Sequence, residues 1–427
     1  MQLILFIGHH KVGSTALQDF LSRNAIALLR AGILYPAVDA QGQALLLARA
    51  LHGETPAIGG EGDSGALPIN LREAHNALAF RMLADAAGKP GKVPAFHPGL
   101  PGSGQMFRAI RMQAEYLKPR AVILCSEVFA NFGHAAEVSG TDLIGRIARL
   151  FPEAEVTVLA TLRRIDEYLA SWHGQRLRFG DRMLSLSGGA AERYFGNIHF
   201  DYRGMVEPWT QTFAHADLRL KTYDEVLASG GSVEDFRAEL ERITGAPLPA
   251  GLTAPDRTNE SLHRGLIDIA RRGNVLLQDE AAPALRGYLA DRADALGLPP
   301  SREVELFGAG LRDRLVDRFE PIDAWLGGLV GRPGFFPDLQ TARKARSLPE
   351  EDVAAQALAA LRAGLEDHPP QGEHGAAVAE FLSNLDLSAT VPDPVRAVRP
   401  QGPARQAEAG HHEPVTAGPP IERSGKA

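Results

Sequence analysis

A glycine-rich segment near the start of the sequence combines the residue types that bind phosphate groups. Gly8 and Gly13 enclose Lys11, and the hydroxyl residues Ser14 and Thr15 follow directly. The apolar run LILFI precedes this segment, and the amphipathic stretch ALQDFLSRNAIALLRAG follows it. A loop between a strand and a helix presents free backbone N–H groups and the positive end of the helix dipole to an anion. The segment predicts a phosphate-binding loop; the structural alternative is a simple turn in which Ser14 or Thr15 caps the helix.

A second basic segment follows another apolar run. The run VTVLATL ends at Arg163 and Arg164, and Ser171 comes eight residues after Arg163 on the next predicted helix. A guanidinium fork together with a hydroxyl donor suits a phosphate group that carries close to two negative charges. The segment therefore predicts a second phosphate site. Its structural alternative is an exposed, charged helix start with Ser171 facing water.

The position of the lysine separates two classes of phosphate loop. A nucleoside triphosphatase carries Lys immediately after the second glycine, whereas this chain has Ser14 there and Lys11 two positions before Gly13. That pattern resembles the phosphosulfate loop of the sulfotransferases that use 3'-phosphoadenosine-5'-phosphosulfate (PAPS). The resemblance implies that Lys11 neutralises charge on the bridging oxygen. The residues that it assigns to the 5'-phosphosulfate are Lys11, Gly13, Ser14, Thr15 and Ala16.

Two further segments carry the same resemblance. In the sulfotransferase family an Arg and a Ser spaced like Arg163 and Ser171 bind the 3'-phosphate of PAPS, so the resemblance implies this role for both residues. The family often has Pro after an Arg-Asp step, whereas Arg164 and Ile165 follow here, so Arg164 could share or replace the role of Arg163. Tyr223, at the end of a predicted strand, resembles a family Tyr that lies against the adenine; core packing is the alternative.

Glu127 is the first candidate for removing a proton from the acceptor. It directly follows the run AVILCS, at a strand end where an acceptor would meet the phosphosulfate. Carbohydrate sulfotransferases often use Glu there and cytosolic small-molecule sulfotransferases use His, and the segment SEVFANF resembles the former. The structural alternative is that Glu127 caps the next turn. His75 is the second candidate base, because a near-neutral pKa would suit proton transfer if its segment folds over the site; its alternative is a partly exposed helical residue.

These segments lie at the ends of predicted strands. Short aliphatic or β-branched runs alternate with amphipathic helical patterns along the chain. That alternation predicts an α/β protein with a mostly parallel sheet and helices on both faces, which binds ligands at the carboxyl ends of the strands. The resemblance implies the three-layer, P-loop-like sulfotransferase fold, and C-terminal helices are predicted to pack on it. The predicted strands are 3–7, 32–35, 121–125, 156–161 and 218–222.

Changes in composition divide the chain into three parts. Residues 1–330 form the predicted sulfotransferase domain, and its 39–120 insertion, with a helix near 71–87, is interpreted as an acceptor-binding lid. Residues 331–386 form a predicted C-terminal helical extension. Residues 387–427 are rich in proline and lack apolar periodicity, which predicts a disordered tail.

The composition disfavours several classes of partner. A net charge of −7 gives no general attraction to nucleic acid or to anionic membranes. No stretch reaches the roughly 18 apolar residues that would span a bilayer. The single cysteine, Cys125, excludes an intramolecular disulfide and fits a reducing compartment. We expect a cytoplasmic protein that binds neither membranes nor nucleic acid and requires no metal.

The predicted activity is transfer of a sulfuryl group from PAPS to a hydroxyl or amine, with release of 3'-phosphoadenosine-5'-phosphate (PAP). The resemblance of the Glu127 segment to carbohydrate sulfotransferases implies a preference for a sugar hydroxyl, while the acceptor and the oligomeric state stay open. The alternatives are a P-loop nucleotide kinase or triphosphatase and a catalytically idle nucleotide-binding protein.

Overall fold

The five predicted strands form one parallel sheet with the order β2-β3-β1-β4-β5. The computed structural model describes residues 1–52, 67–255, 262–278 and 280–391. The strands of the sheet are β1 (Gln2–Phe6), β2 (Ile33–Leu34), β3 (Ala121–Cys125), β4 (Glu155–Leu162) and β5 (Asp217–Thr222). All five strand predictions are confirmed.

Alternate residues of β1 pack on opposite faces of the sheet. Leu3 and Leu5 belong to one hydrophobic cluster, whereas Ile4 and Phe6 belong to another. This division follows from the two-residue period of a strand. Helical residues also belong to both clusters, so helices cover both faces of the sheet, and the architecture is compatible with the predicted three-layer α/β class.

Seventeen α-helices lie in the described ranges. In chain order they are α1 (Ser14–Arg23), α2 (Ala25–Arg30), α3 (Ala40–His52), α4 (Ile69–Arg72), α5 (Ala74–Ala86), α6 (Ser103–Leu117), α7 (Gly140–Ala148), α8 (Ile165–Arg178), α9 (Ala191–Tyr194), α10 (Tyr202–Thr212), α11 (Tyr223–Ala228), α12 (Ser232–Thr244), α13 (Ile267–Leu276), α14 (Ala281–Arg292), α15 (Ala309–Leu329), α16 (Glu350–Ala363) and α17 (Gly375–Asn384). Helices α1 and α12 pack on the face of Ile4, and α5, α6, α7, α8, α10 and α15 pack on the opposite face.

The 39–120 segment is largely helical and contributes to the core. The helix predicted near 71–87 is confirmed as α4 and α5. Met82 of α5 and Ile110 of α6 are fully buried in the cluster of Leu3. These two helices therefore belong to the domain core, and an acceptor-binding lid in this segment stays a prediction.

The C-terminal helices share a separate hydrophobic cluster. Leu285 of α14, Leu361 of α16 and Leu382 of α17 are buried in it, so its members come from both sides of residue 330. The first residues assigned to the tail, 387–391, lie within the described ranges, and Arg272 donates hydrogen bonds to backbone carbonyls there at 2.6 and 2.7 Å. The rest of the predicted disordered tail lies outside the described residues.

A short parallel pair, β6 (Val304–Glu305) and β7 (Leu348–Pro349), joins two segments of the C-terminal half. Sequence patterns did not predict it, because strands of two residues leave no periodicity to detect. Within the described part of the chain, no helix combines the length and apolar character that crossing a bilayer requires.

Candidate functional site

The strand order brings the candidate residues together. β1 lies between β3 and β4, so the loop after β1 lies beside the residues that follow those two strands. Helix α1 packs on one face of the sheet, whereas α7 and α8, which follow β3 and β4, pack on the other. Helices that diverge in this way open a crevice at the carboxyl ends of the strands. Glu127 and Arg163 follow β3 and β4 at this crevice.

Backbone conformation explains the two glycines of the loop. Gly8 and Gly13 have φ angles of 109° and 86°, which side chains other than glycine rarely adopt. A Cβ atom on Gly8 would lie 3.2 Å from the backbone of Glu127, and one on Gly13 would lie 2.5 Å from the Ser232 hydroxyl. Lys11 also has a positive φ of 62°, a conformation found at functional sites when the surroundings enforce it. The loop therefore has one tightly constrained shape.

The amino terminus of α1 leaves its backbone N–H groups open to an anion. The cap residue is Gly13, and it forms no side-chain cap hydrogen bond. The first turn of α1 also carries no acidic residue. Neither Ser14 nor Thr15 is the cap, which argues against the simple-turn alternative. Ser14, Thr15 and Ala16 therefore begin the helix with backbone N–H groups that can donate hydrogen bonds to an oxyanion.

More cationic than anionic side chains surround Lys11. Burial, together with the nearby Arg163 and Arg178, lowers the pKa of the Lys11 ammonium to about 8, and Glu127 opposes this shift. A bound anion would raise the pKa again by favouring the charged ammonium. The electrostatic environment of the loop thus favours a negatively charged ligand.

Arg163 is loosely held. Its Nη1 donates to the backbone oxygen of Lys11 at 3.3 Å, and its Nη2 lies 3.4 Å from Glu167 Oε2. The Nε atom has no hydrogen-bond partner among the described residues. The guanidinium lies 5.1 Å from the centre of the Tyr223 ring, within cation–π range. Long contacts and an unpartnered nitrogen leave this side chain available for a phosphate group.

Arg164 has a structural role instead. It donates to Asp166 Oδ1 at 2.7 Å and to Thr341 Oγ1 at 2.9 Å, and it also pairs with Asp338. These charged partners raise the pKa of Arg164 despite its partial burial. Arg164 thereby links the start of α8 to the C-terminal half, so Arg163 is the better candidate for ligand binding.

Tyr223 borders a cavity of about 170 Å³ beside Arg163. It is the first residue of α11, whose start is fixed because the Thr222 and Glu225 side chains bond each other's backbone N–H groups. The residues that line the cavity are Arg163, Arg164, Glu167, Thr222, Tyr223, Asp224, Arg302, Phe336 and Arg346. Tyr223 also packs against the core cluster on the α1 face, so its packing and ligand-facing interpretations both stand.

Three residues of that cavity come from the C-terminal half and were not predicted. Phe336, Arg302 and Arg346 carry no motif, and only tertiary structure brings them to Arg163. Arg346 bonds Glu167 at 3.0 Å, and Arg264 bonds the same carboxylate at 2.7 Å. Glu167 is therefore shared by several arginines at the edge of the site.

Ser171 is buried inside α8. The residue retains 9% exposure, so its surroundings are mostly protein. The structural alternative for the second basic segment, in which Ser171 faces water, is therefore wrong, because Ser171 lies on a buried side of α8. Its role toward a 3'-phosphate stays a prediction.

Glu127 is held by three hydrogen-bond donors. Gln18 Nε2 donates to Oε2 at 2.5 Å, Asn76 Nδ2 donates to Oε1 at 3.2 Å, and the Ser14 hydroxyl also bonds the carboxylate. Burial raises the pKa of Glu127, and these bonds partly offset the rise. A fixed carboxylate with a raised pKa suits proton removal better than a solvated one. The turn-capping alternative is wrong, because Ser126 accepts the bond from Val128 N that caps the 3-10 helix Glu127–His134.

His75 lies in the core and has no free nitrogen. Nδ1 accepts from the Cys125 N–H at 3.1 Å, so the proton on Nε2 is donated to the Pro36 carbonyl at 3.2 Å. Burial lowers the pKa of His75 to about 3. The alternative of a partly exposed helical His is wrong, and this geometry also argues against His75 as the base. Its neighbour Asn76 is the residue of α5 that contacts Glu127.

A cluster of aromatic and histidine rings supports the loop. The His9 ring stacks on Tyr168 with centroids 3.7 Å apart. Trp172 lies 5.1 Å from His10 and 4.2 Å from His199, measured between ring centroids. No group of His, Cys, Asp or Glu in the described ranges is arranged to hold a metal ion. Tyr168 and Trp172 are four residues apart on α8, and this spacing predicts that both side chains lie on the same face of the helix. It does not predict that this face contacts the loop at His9 and His10.

Two buried histidines, His75 and His173, and two half-buried ones, His10 and His199, should make the protein sensitive to acid. Burial lowers the pKa of His10 to about 4 and the pKa values of His75, His173 and His199 to about 3. In the unfolded chain these groups titrate near pH ~6.5, so the unfolded state binds more protons between about pH 6.5 and pH 4. The free energy of unfolding therefore falls as the pH falls through this window, by up to about 1.4 kcal/mol per pH unit for each histidine.

Urea unfolding measured at intervals from about pH 8 to pH 5 tests this expectation. The contribution of these groups should be constant above about pH 7 and should decline steeply below pH ~6.5. The variant His173→Phe should show a shallower decline because it removes one titrating group. An unfolding free energy that stays constant between pH ~7 and pH ~5 would contradict the assignment.

The chain was compared with protein-family models, curated proteins and solved structures. No family model, curated protein or solved structure matches it. The function of this chain is therefore inferred from its sequence motifs and from the geometry of the site.

Proposed function

We propose that this chain is a PAPS-dependent sulfotransferase with a P-loop-like fold. The observation that carries the proposal is the mutual proximity of Lys11, Arg163 and Glu127 at the ends of three adjacent strands. Arg163 Nη1 donates to the backbone oxygen of Lys11 at 3.3 Å, and the backbone of Glu127 packs against Gly8 of the same loop. Sulfuryl transfer from an anionic donor to a hydroxyl requires cationic groups and a base, and these three side chains can supply them.

The donor would bind along the ends of β1, β4 and β5. The 5'-phosphosulfate would accept hydrogen bonds from the start of α1, with Lys11 beside it. The 3'-phosphate would lie against Arg163, whose Nε has no partner among the described residues. The adenine would lie against Tyr223. Ser14 rather than Lys follows Gly13, which favours this donor over a nucleoside triphosphate.

The reaction would be an in-line displacement at sulfur. Glu127 takes the proton of the acceptor hydroxyl as the acceptor oxygen forms a bond to sulfur. The bond between sulfur and the bridging oxygen of the donor breaks, and Lys11 neutralises the charge that develops on that oxygen. PAP and the sulfated acceptor are the products. Positioning and charge stabilisation supply most of the rate enhancement in such transfers, as in phosphoryl transfer.

The acceptor that we favour is a sugar hydroxyl. Glu127 places a carboxylate at the crevice, whereas both ring nitrogens of His75 are hydrogen-bonded inside the core. Glu127 is therefore the better of the two candidate bases. A carboxylate base suits a neutral hydroxyl acceptor.

The single, buried Cys125 is in keeping with our proposal of a reducing, cytoplasmic location.

PAP should stabilise the fold much more than AMP does. The two ligands differ by the 3'-phosphate, which Arg163 would bind. A ligand at about 100 times its Kd adds roughly 2.7 kcal/mol to the free energy of unfolding. Thermal-shift measurements with PAP, AMP, ADP and ATP, each with and without magnesium, compare these contributions directly.

Two outcomes would count against the proposal. Equal shifts with PAP and AMP would remove the 3'-phosphate assignment. A magnesium-dependent preference for ATP would favour a nucleotide kinase or triphosphatase instead.

A further inference from the structure

An arginine-rich cleft lies between α6 and α7. Its volume is about 430 Å³. Arg111 of α6 faces Arg146 and Arg149 across the cleft, and Phe107 and Leu150 contribute apolar surface. No carboxylate is among the residues that line it. The cleft is therefore strongly positive in a chain whose net charge is −7.

These arginines differ from other surface arginines of the protein. Arg203 and Arg314, which are similarly exposed, each pair with a glutamate at 2.8 Å. None of Arg111, Arg146 and Arg149 forms an ion pair within the described part of the chain. The Nη2 of Arg111 instead donates to the backbone oxygen of Arg149 at 3.2 Å, which holds the Arg111 side chain at the C-terminal end of α7. Three guanidinium groups therefore line this cleft with no carboxylate among its lining residues, and a bound anion would lower their mutual repulsion.

We propose that this cleft binds a polyvalent oxyanion, a ligand with phosphate or sulfate groups that carry two or three negative charges. Guanidinium groups form paired, charge-assisted hydrogen bonds to such oxygens. Three arginines match this charge, and Phe107 offers a surface for an apolar part of the ligand. The group could belong to a small anion or to a phosphorylated or sulfated polymer, since both present the same chemistry.

The cleft is separate from the candidate nucleotide site. Arg149 follows α7 directly, and β4 begins six residues later at Glu155. The nucleotide site lies at the opposite, carboxyl end of β4. The proposal therefore does not depend on sulfuryl transfer, and substitutions in the cleft should not disturb Lys11 or Arg163.

Calorimetric titration of the full chain with inorganic pyrophosphate tests the cleft, with PAP present to occupy the nucleotide site. The variant Arg111→Ala/Arg149→Ala should bind pyrophosphate at least about tenfold more weakly, because two guanidinium groups are lost. Arg30→Ala/Lys89→Ala, which removes two exposed cations elsewhere, is the matched control and should bind as the unmodified chain does. Thermal melts report whether each variant is folded.

A parallel titration with fluorescent dextran sulfate distinguishes the two sources of the oxyanion. Loss of pyrophosphate affinity in the cleft variant supports a small or terminal anion, and loss for dextran sulfate alone supports a polymer. The proposal is overturned if neither probe binds, or if the cleft variant and the control lose affinity equally. If PAP itself does not bind, a loss of pyrophosphate affinity in the cleft variant but not in the control still supports the cleft, and the failure then falls on the proposed function alone.

Discussion

Replacing Glu127 with glutamine should lower sulfuryl transfer by about 10² to 10⁴-fold while PAP affinity stays nearly constant. Glutamine keeps the shape of the side chain, and its single oxygen can still accept from Gln18 or from Asn76, but it cannot take a proton. The buried carboxylate has a raised pKa, and a base must be unprotonated, so activity should fall as the pH falls through that pKa. This acid limb should disappear in the variant.

The experiment needs an acceptor and a labelled donor, and radiolabelled PAPS with a panel of sugars supplies both. Glu73→Gln is the matched control, because Glu73 also bonds Asn76, at 3.2 Å, but does not follow a strand of the sheet. The control should retain normal turnover. Near-normal turnover in Glu127→Gln, measured once any acceptor is found, would exclude Glu127 as the base.

Arg163→Ala should abolish the preference for PAP over AMP. Hydrogen bonds that involve a charged group contribute about 1.5–3 kcal/mol, which corresponds to roughly a 10- to 150-fold weaker PAP affinity. AMP affinity should change little, because AMP lacks the 3'-phosphate. Titrations of PAP and AMP against the same protein preparation measure the two constants.

Arg164→Ala is the matched comparison and should lower the stability of the fold rather than the affinity for PAP. Arg164 bonds the buried Asp166 and also Thr341, so its loss should lower the free energy of unfolding by about 2 kcal/mol. PAP affinity of the folded protein should remain close to normal. A larger loss of PAP affinity in Arg164→Ala than in Arg163→Ala would reverse the assignment of the two arginines.

The sheet could be predicted from the sequence because its strands are buried on both faces. Runs such as Ala121–Cys125, which is buried throughout, are continuous apolar segments between turns and are recognisable without tertiary information. Helix α17 lies inside the predicted helical extension of residues 331–386, but its bounds were not predicted. Its sequence GAAVAEFLSN is short and has small residues at several positions, so its apolar stripe is weak, and its packing against α14 and α16 defines it.

The candidate site was predictable only where a residue belongs to a local motif. Lys11, Gly13 and Arg163 stand in recognisable segments, and the structure places them at adjacent strand ends. The partners of Glu127 were not predictable, because Gln18 and Asn76 are 109 and 51 residues away from it in the chain. The difference between Arg163 and Arg164 was equally hidden, since it depends on Asp338, which is 174 residues from Arg164.

The central position of β1 has a consequence for biosynthesis. β1 pairs with β3 and β4, and Gln2 is 153 residues from its neighbour Glu155 on β4. At about 5–20 residues per second, a ribosome needs roughly 8–30 s to add that length. The nascent apolar strand therefore stays unpaired for many seconds, and contacts so distant in sequence also form slowly. We expect this strand to be shielded by a chaperone that binds short hydrophobic segments until β4 leaves the exit tunnel.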